Sequence, residues 1–303
     1  MKILKYTLLF LLLILITSSS GAIYDFLNVG VSARSNAMGG SFAAVSHDIN
    51  ALGWNPSGLH GVGKGMLSTS MVLYIADITF GEILYGFSKN KNSFGVGFNY
   101  VNYGSMERRD ENNVDRGTFT PMDILFTAGY SRSFSENLSA GFNVKLVYEK
   151  IDSFVSYGAG GDFGIQYLMK ERNLTLAVVL KNAGTALKAH DEEKRQFPLS
   201  FTGGLSFHPL PIVNLNFDVT RIFSDTRTLV RVGVEWWPVP LFVLRTGYSS
   251  GGNELKTDYG SDMLAGTSAG FGVSWKSFCL DYAVQPMVDL GFSHSISLTH
   301  TFQ

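Results

Sequence analysis

The chain has 303 residues and a formal net charge of −1, with 16% charged and 13% aromatic residues. This balance offers no electrostatic attraction to nucleic acid or to an anionic surface, and the charged fraction is well under the roughly 25% of soluble domains. The single Cys279 excludes an internal disulfide.

The first predicted element is a cleaved signal peptide over residues 1–22. Lys2 and Lys5 form a short basic region, residues 8–16 are only Leu, Ile and Phe, and Ser20-Gly21-Ala22 fits the cleavage pattern. The apolar run is shorter than the about 20 residues that a membrane helix needs, and no later run reaches that length. We therefore predict an exported chain that is either an outer-membrane β-barrel or a soluble all-β protein.

The next segment, residues 23–64, is neither a clean helix nor a clean strand. It is rich in small residues and ends with Asn55-Pro56-Ser57-Gly58-Leu59. Gly39-Gly40 permits a tight bend or a close backbone approach, and Pro56 disfavours helix at the residue before it. This stretch is the one part of the exported chain that cannot be strand.

Residues 65–303 read as a series of alternating strands. In residues 138–149, Phe142, Val144 and Leu146 share one face while Asn143 and Lys145 share the other, because successive side chains of a strand point to opposite faces. Several segments keep this alternation for the roughly 9–11 residues of a tilted membrane strand, longer than the about 5–6 of soluble strands. About fourteen segments follow the pattern: 66–75, 78–88, 92–103, 121–133, 138–151, 156–169, 174–182, 198–207, 213–222, 227–237, 241–249, 265–276, 278–286 and 293–302.

The connections between these segments decide the architecture. Tight turns alternate with a set that includes long polar connections near 104–120, 183–197 and 250–264, which is the layout of outer-membrane barrels. We predict an all-β fold: a transmembrane antiparallel β-barrel of about 14 strands, surrounded by the lipid of the bacterial outer membrane.

The segment before the strands resembles the start of PorV/PorQ-type proteins, which belong among the FadL-like outer-membrane barrels. The chain departs from that pattern with Ser32 for Gly and with Ser41 and Ser57 for Ala. The resemblance implies that residues 23–64 fold inward as a lumenal hatch. The residues that carry it are Arg34, Met38, Gly39, Gly40, Asp48, Asn55, Pro56 and Gly58.

Two of the motif residues, Arg34 and Asp48, are charged, and we expect them to pair with charged side chains of the lumen. Such pairs more often fix a hatch in place than contact a ligand, so we interpret them first as structural. The candidate lumen partners are Lys145, Asp162, Arg231, Glu235 and Arg245.

No pattern for catalysis stands out. The six His residues have no metal-ligand spacing, and Gly61-Val62-Gly63-Lys64-Gly65 lacks the Ser or Thr that follows Lys in a phosphate loop. We predict no enzyme, no cofactor and no metal site.

Three functions compete. The resemblance implies a type IX secretion accessory, with secretion-system components or exported cargo as partners. The alternative is a FadL-like channel for hydrophobic small molecules such as long-chain fatty acids, and the third is a structural or pore-forming protein without a dedicated ligand. A channel requires an apolar pocket between hatch and wall. The mostly polar inner faces give little support for a large one, although Val101, Leu125 and Val147 could contribute.

Overall fold

The computed structural model describes residues 24–188, 197–256 and 260–302. The predicted signal peptide, residues 1–22, lies outside the described residues, as do parts of two predicted loops. Within the described ranges, no helix is both long enough and apolar enough to cross a membrane.

Fourteen antiparallel strands form a closed barrel in sequence order, with β1 pairing with β16. Two further strands, β4 and β5, pair only with each other, within the connection predicted as a loop at 104–120. The strands are β1 Gly65–Leu73, β2 Thr79–Lys89, β3 Asn92–Asn102, β4 Met106–Arg109, β5 Asp115–Phe119, β6 Met122–Ser133, β7 Leu138–Ile151, β8 Phe154–Met169, β9 Leu174–Lys188, β10 Ser200–Leu210, β11 Val213–Ile222, β12 Thr228–Val239, β13 Phe242–Ser249, β14 Thr267–Trp275, β15 Phe278–Pro286 and β16 Phe292–Phe302.

The outer face of the barrel is apolar and the inner face is mostly polar. Val144 is 51% exposed, whereas its neighbours Asn143 and Lys145 are buried. Such an outer surface requires lipid rather than water around it, and every backbone group of a closed barrel finds a partner within the sheet. The predicted transmembrane barrel of about 14 strands, in the outer membrane, is confirmed.

One strand differs from its prediction by more than three residues. β9 was expected at 174–182 but continues to Lys188, and the prediction stopped early because a β-bulge interrupts the alternation. Asn182 adopts a left-handed conformation (φ 59°), so that it and Lys181 are both buried. A bulge adds one residue to one strand of a pair, and a period-two pattern therefore stops at that point.

The two ends of the barrel differ in their connections. Short turns join β2 to β3, β6 to β7 and β12 to β13 at one end, while the connections that contain residues 103–121 and 250–266 lie at the other. In outer-membrane barrels the short turns face the periplasm and the longer loops face outward. We name the ends periplasmic and extracellular accordingly.

Residues 24–64, here called the inner segment, run through the lumen from the extracellular to the periplasmic end. They contain helix α1 (Ala33–Ala37) and 3-10 helices at Asp25–Asn28, Ile49–Gly53 and Pro56–Leu59. Helix α1 packs against β13 to β16, and the 3-10 helix Pro56–Leu59 packs against β6 to β8. The segment therefore contacts opposite walls of the barrel.

Two capping side chains explain the short helices of the inner segment. Asp48 accepts a hydrogen bond from the backbone N–H of Asn50, and Asn55 accepts one from the N–H of Ser57. Asp and Asn are favoured at this position because their oxygens pair with N–H groups that the helix leaves free. Pro56 occupies the first helical position, where a missing N–H costs nothing.

Candidate functional site in the barrel lumen

A chain of alternating charges joins the inner segment to the wall. The Arg34 guanidinium contacts Asp48 at 2.7 Å and forms two hydrogen bonds with Glu235, at 2.8 and 2.9 Å. Glu235 is fully buried and also accepts from Arg245 at 2.8 Å, and Arg245 in turn contacts Asp281 at 2.6 Å. The structure thus brings together four of the predicted residues and adds Asp281, whose inward position on β15 was readable from alternation.

The predicted Met38-Gly39-Gly40 turn lies directly on the backbone of β13. Gly39 and Gly40 have φ of 63° and 77°, which residues with a side chain rarely adopt. A Cβ added at Gly247 would lie 2.1 Å from the carbonyl carbon of Met38. Sequence reasoning identified the two glycines of the turn but not Gly247. The sequence of a strand does not show which other segment packs against one of its glycines.

Asn55 and Gly58 contact another part of the inner segment, at residues 43–45. The Asn55 side-chain amide donates to the carbonyl of Ala43 at 2.6 Å. A Cβ added at Gly58 would lie 2.4 Å from the carbonyl oxygen of Val45. These motif residues therefore make internal contacts of the inner segment.

Lys145 and Asp162 form a separate buried ion pair in the wall, at 2.8 Å. Lys145 also donates to the side-chain oxygen of Asn182, the bulged residue of β9, at 2.7 Å. Neither residue contacts Arg34 or Asp48, so the expectation of pairing with these two is not met. Their partners are on neighbouring strands, and this pair stabilises the bulge instead.

Two cations flank Trp54 of the inner segment. The Lys181 ammonium lies 5.0 Å from the indole ring and the Arg231 guanidinium 5.8 Å. Lys181 donates to the carbonyl of Gly53, and Arg231 donates to the hydroxyl of Thr220. In the described part of the chain, neither cation has a carboxylate at ion-pair distance. Arg231, a predicted lumen residue, therefore faces an aromatic ring rather than Arg34 or Asp48.

An apolar cluster closes the extracellular end of the lumen, where the sequence predicted little apolar surface. Val101, Leu125 and Val147 do contribute, and Val72 and Phe80 of β1 and β2 join them. The remaining members are side chains from outside the strands. Periodicity could not assign these because residues 24–31 and Phe197 have no strand alternation. The full cluster is Tyr24, Phe26, Leu27, Val31, Val72, Phe80, Val101, Leu125, Val147 and Phe197.

A cavity of about 50 Å³ lies beside this cluster, between the inner segment and the wall. Its lining combines the apolar Leu27, Val101 and Leu125 with the charged Glu82 and Lys181. A water needs roughly 10–15 Å³ of such volume, so the cavity has room for a few waters or one small group. The lining of the cavity is thus both apolar and polar.

A larger cavity of about 580 Å³, here called the vestibule, opens at the periplasmic end. It is lined by polar side chains that include His47, His60, His208 and Gln166. Burial lowers the pKa of both His47 and His60 below the usual value of 6.5. No group of three His, Cys, Asp or Glu side chains stands ready to hold a metal among the residues that the structure describes.

Comparison with known proteins gives structural neighbours only. No protein-family model matches the sequence, and no curated protein matches it. The Pseudomonas putida toluene transporter TodX superposes with a TM-score of 0.69 at 14% identity, covering 94% of this chain and all of that chain. The Ralstonia pickettii toluene transporter TbuX gives 0.65 at 13% identity, covering 93% of this chain and all of its own.

A Pseudomonas aeruginosa FadL homologue is also similar, with a TM-score of 0.58 at 11% identity over 90% of this chain and 98% of its own. Identities this low establish the fold alone. The chain has the fold of FadL-like outer-membrane barrels, and none of these neighbours is a PorV or PorQ protein.

Proposed function

We propose that the protein is an outer-membrane channel for small hydrophobic or amphipathic molecules. The observation that carries this proposal is the apolar cluster at the extracellular end of the lumen, with the adjoining cavity. A hydrophobic molecule from outside would meet this surface first. Apolar contacts are non-directional, so a ligand can replace the side chains of Phe26 and Leu27 in them.

The polar side of the cavity adds a preference among such ligands. Lys181 lines the cavity without a carboxylate partner in the described chain, and the Arg231 guanidinium lies 5.8 Å from the Trp54 ring. An acidic head group, as in a long-chain fatty acid, would supply the missing negative charge. Neutral hydrocarbons would use only the apolar side.

The structural neighbours support this function over protein export. TodX is described as a toluene transporter and as a monoaromatic hydrocarbon channel, and TbuX as a toluene transporter. The export function, which the PorV/PorQ resemblance implies, has no contact or surface of the described chain in its favour. We propose residues 24–64 as the lumenal hatch, of which ligand must displace the extracellular part, residues 24–32.

The test is ligand binding to the purified barrel in detergent, using labelled long-chain fatty acid and labelled toluene. We expect saturable binding that Val101→Thr weakens by about 5-fold or more, because an unpaired buried hydroxyl costs about 1–3 kcal/mol. Val101 lines the cavity. Val179→Thr is the matched control, since Val179 is equally buried but packs against Ala43 and Ala44 outside the cluster.

Two outcomes would reject the proposal. One is the absence of saturable binding by the unmodified protein. The other is equal weakening by the two Val→Thr variants, which would place the ligand away from the cluster. Heat-modifiable gel mobility of each variant checks that the barrel is folded.

A further inference from the structure

The vestibule gathers three of the chain's six histidines. His47 and His60 come from the inner segment, and His208 comes from β10. No metal site was predicted because the histidines have no ligand spacing along the chain, but folding brings two of them into ring contact. Their ring centroids lie 4.9 Å apart at an interplanar angle of 62°.

Each ring of this pair already uses one nitrogen. The Nδ1–H of His60 donates to the carbonyl of Ser57 at 2.8 Å, and Nδ1 of His47 lies 3.1 Å from the hydroxyl of Ser46. Neither Nε2 atom has a hydrogen-bond partner among the described residues. A histidine that binds a metal through one nitrogen usually has the other nitrogen hydrogen-bonded to a carbonyl, carboxylate or water.

The backbone supports the position of the pair. The N–H of His47 donates to the carbonyl of Gly58 at 3.1 Å, which holds the two turns side by side. Gly61 has a φ of 81°, and a Cβ there would lie 2.2 Å from Cδ2 of His47. Gly61 therefore lets the His47 ring lie flat against the chain next to His60.

We propose that the Nε2 atoms of His47 and His60 bind a divalent late transition-metal ion, Zn²⁺, Ni²⁺ or Cu²⁺, with waters of the vestibule completing its coordination. Imidazole suits these three ions. Imidazole binds metal in its neutral form. No group of three His, Cys, Asp or Glu side chains is found among the described residues, so the proposed ion has two protein ligands.

A bound ion would join the turn at residues 45–48 to the turn at residues 57–61. These turns are the last part of the inner segment before β1. Metal binding would therefore stabilise the periplasmic end of the inner segment, far from the apolar cluster. The site is independent of the ligand proposed for the channel.

Calorimetric titration tests this site in protein that carries no histidine tag and has been stripped with chelator. We expect one saturable site for at least one of ZnCl₂, NiCl₂ and CuCl₂. His47→Ala and His60→Ala should each weaken binding by about 10-fold or more, since each removes one of two protein ligands, a larger loss than that of an outer-shell partner. The His47 side chain lines the open vestibule rather than the barrel wall, so its replacement leaves the barrel intact.

His208→Ala is the matched control, because it removes an imidazole from the same vestibule but not from the pair. We expect it to leave the affinity within about 2-fold, well below the loss expected for a ligand. The proposal fails if no ion binds saturably, or if His208→Ala weakens binding as much as His47→Ala. The latter result would indicate general adsorption to a histidine-lined cavity.

Discussion

The two halves of the inner segment are held in opposite ways. Residues 24–32 meet the wall mainly through the apolar cluster, with hydrogen bonds from Tyr24 to Ser156 and between Asn28 and Asn182. Residues 33–59 also have apolar wall contacts, such as Ala43 and Ala44 with Val179, but they are held in addition by ion pairs and by hydrogen bonds to their backbone. The first half can exchange its contacts with a hydrophobic ligand, whereas the second half cannot.

Wall side chains complete the backbone hydrogen bonds of the second half. The Asp218 carboxylate accepts from the N–H groups of Phe42 and Ala43, each at 2.9 Å. Gln166 donates to the carbonyls of Ala43 and Val45. Buried backbone groups must find partners, so moving this half would leave several groups unpaired at once. Only the extracellular half of the inner segment, residues 24–32, is therefore suited to move.

The largest expected effect is from Glu235→Ala. This change leaves Arg34 and Arg245 without their shared carboxylate, and removal of one partner of a buried ion pair costs about 3–5 kcal/mol. We expect a lower denaturant midpoint in detergent and faster tryptic cleavage after Arg34. If the rate of cleavage is unchanged, the ion pairs of Glu235 are not what holds residues 33–59 against the wall. Glu136→Gln is the control, since Glu136 pairs with Lys170 at an exposed turn.

A smaller effect is expected from Gly247→Ala. The added methyl group meets the backbone of Met38 and Gly39, and overpacking of this kind costs about 1–3 kcal/mol. Gly203→Ala is the matched control because a Cβ there meets nothing within 4 Å. Equal denaturation midpoints for the two variants would show that the turn is not seated on β13.

The smallest effect is expected from Tyr24→Phe, at the other half of the segment. It removes the hydroxyl that contacts Ser156, and a typical hydrogen bond contributes about 0.5–1.5 kcal/mol. We expect little change in the denaturation midpoint but greater hydrogen exchange at residues 25–31. Tyr85→Phe, on the outer face, provides the control. A loss of stability as large as that of Glu235→Ala would contradict the comparison.

Much of the barrel could be predicted from the sequence because its strands obey a single rule. Lipid on one side and the lumen on the other impose alternation, and the short and long connections fix the two ends. The prediction failed where that rule stops, at the bulge around Asn182 and in the β4–β5 hairpin. A bulge is determined by side-chain contacts across strands, which a single sequence does not display.

The lumen was less predictable than the wall. Charge type alone identified Glu235 and Arg245 as lumen residues, but not which of five charged residues would meet Arg34. The apolar cluster was missed because Phe26, Leu27 and Phe197 come from segments without alternation. Irregular segments fold against a surface that exists only after the barrel has formed. The local sequence pattern therefore does not predict which residues they contact.

The inner segment also contacts both strands of the barrel's closing seam. The N–H of Ala33 and the side-chain amide of Asn36 donate to Ser297 and Ser295 of β16, and Asn50 accepts from Ser68 of β1. These two strands lie at opposite ends of the sequence, and joining distant segments costs the most loop-closure entropy. The segment that fills the lumen is therefore also a short physical bridge between the two strands that must find each other across the whole chain.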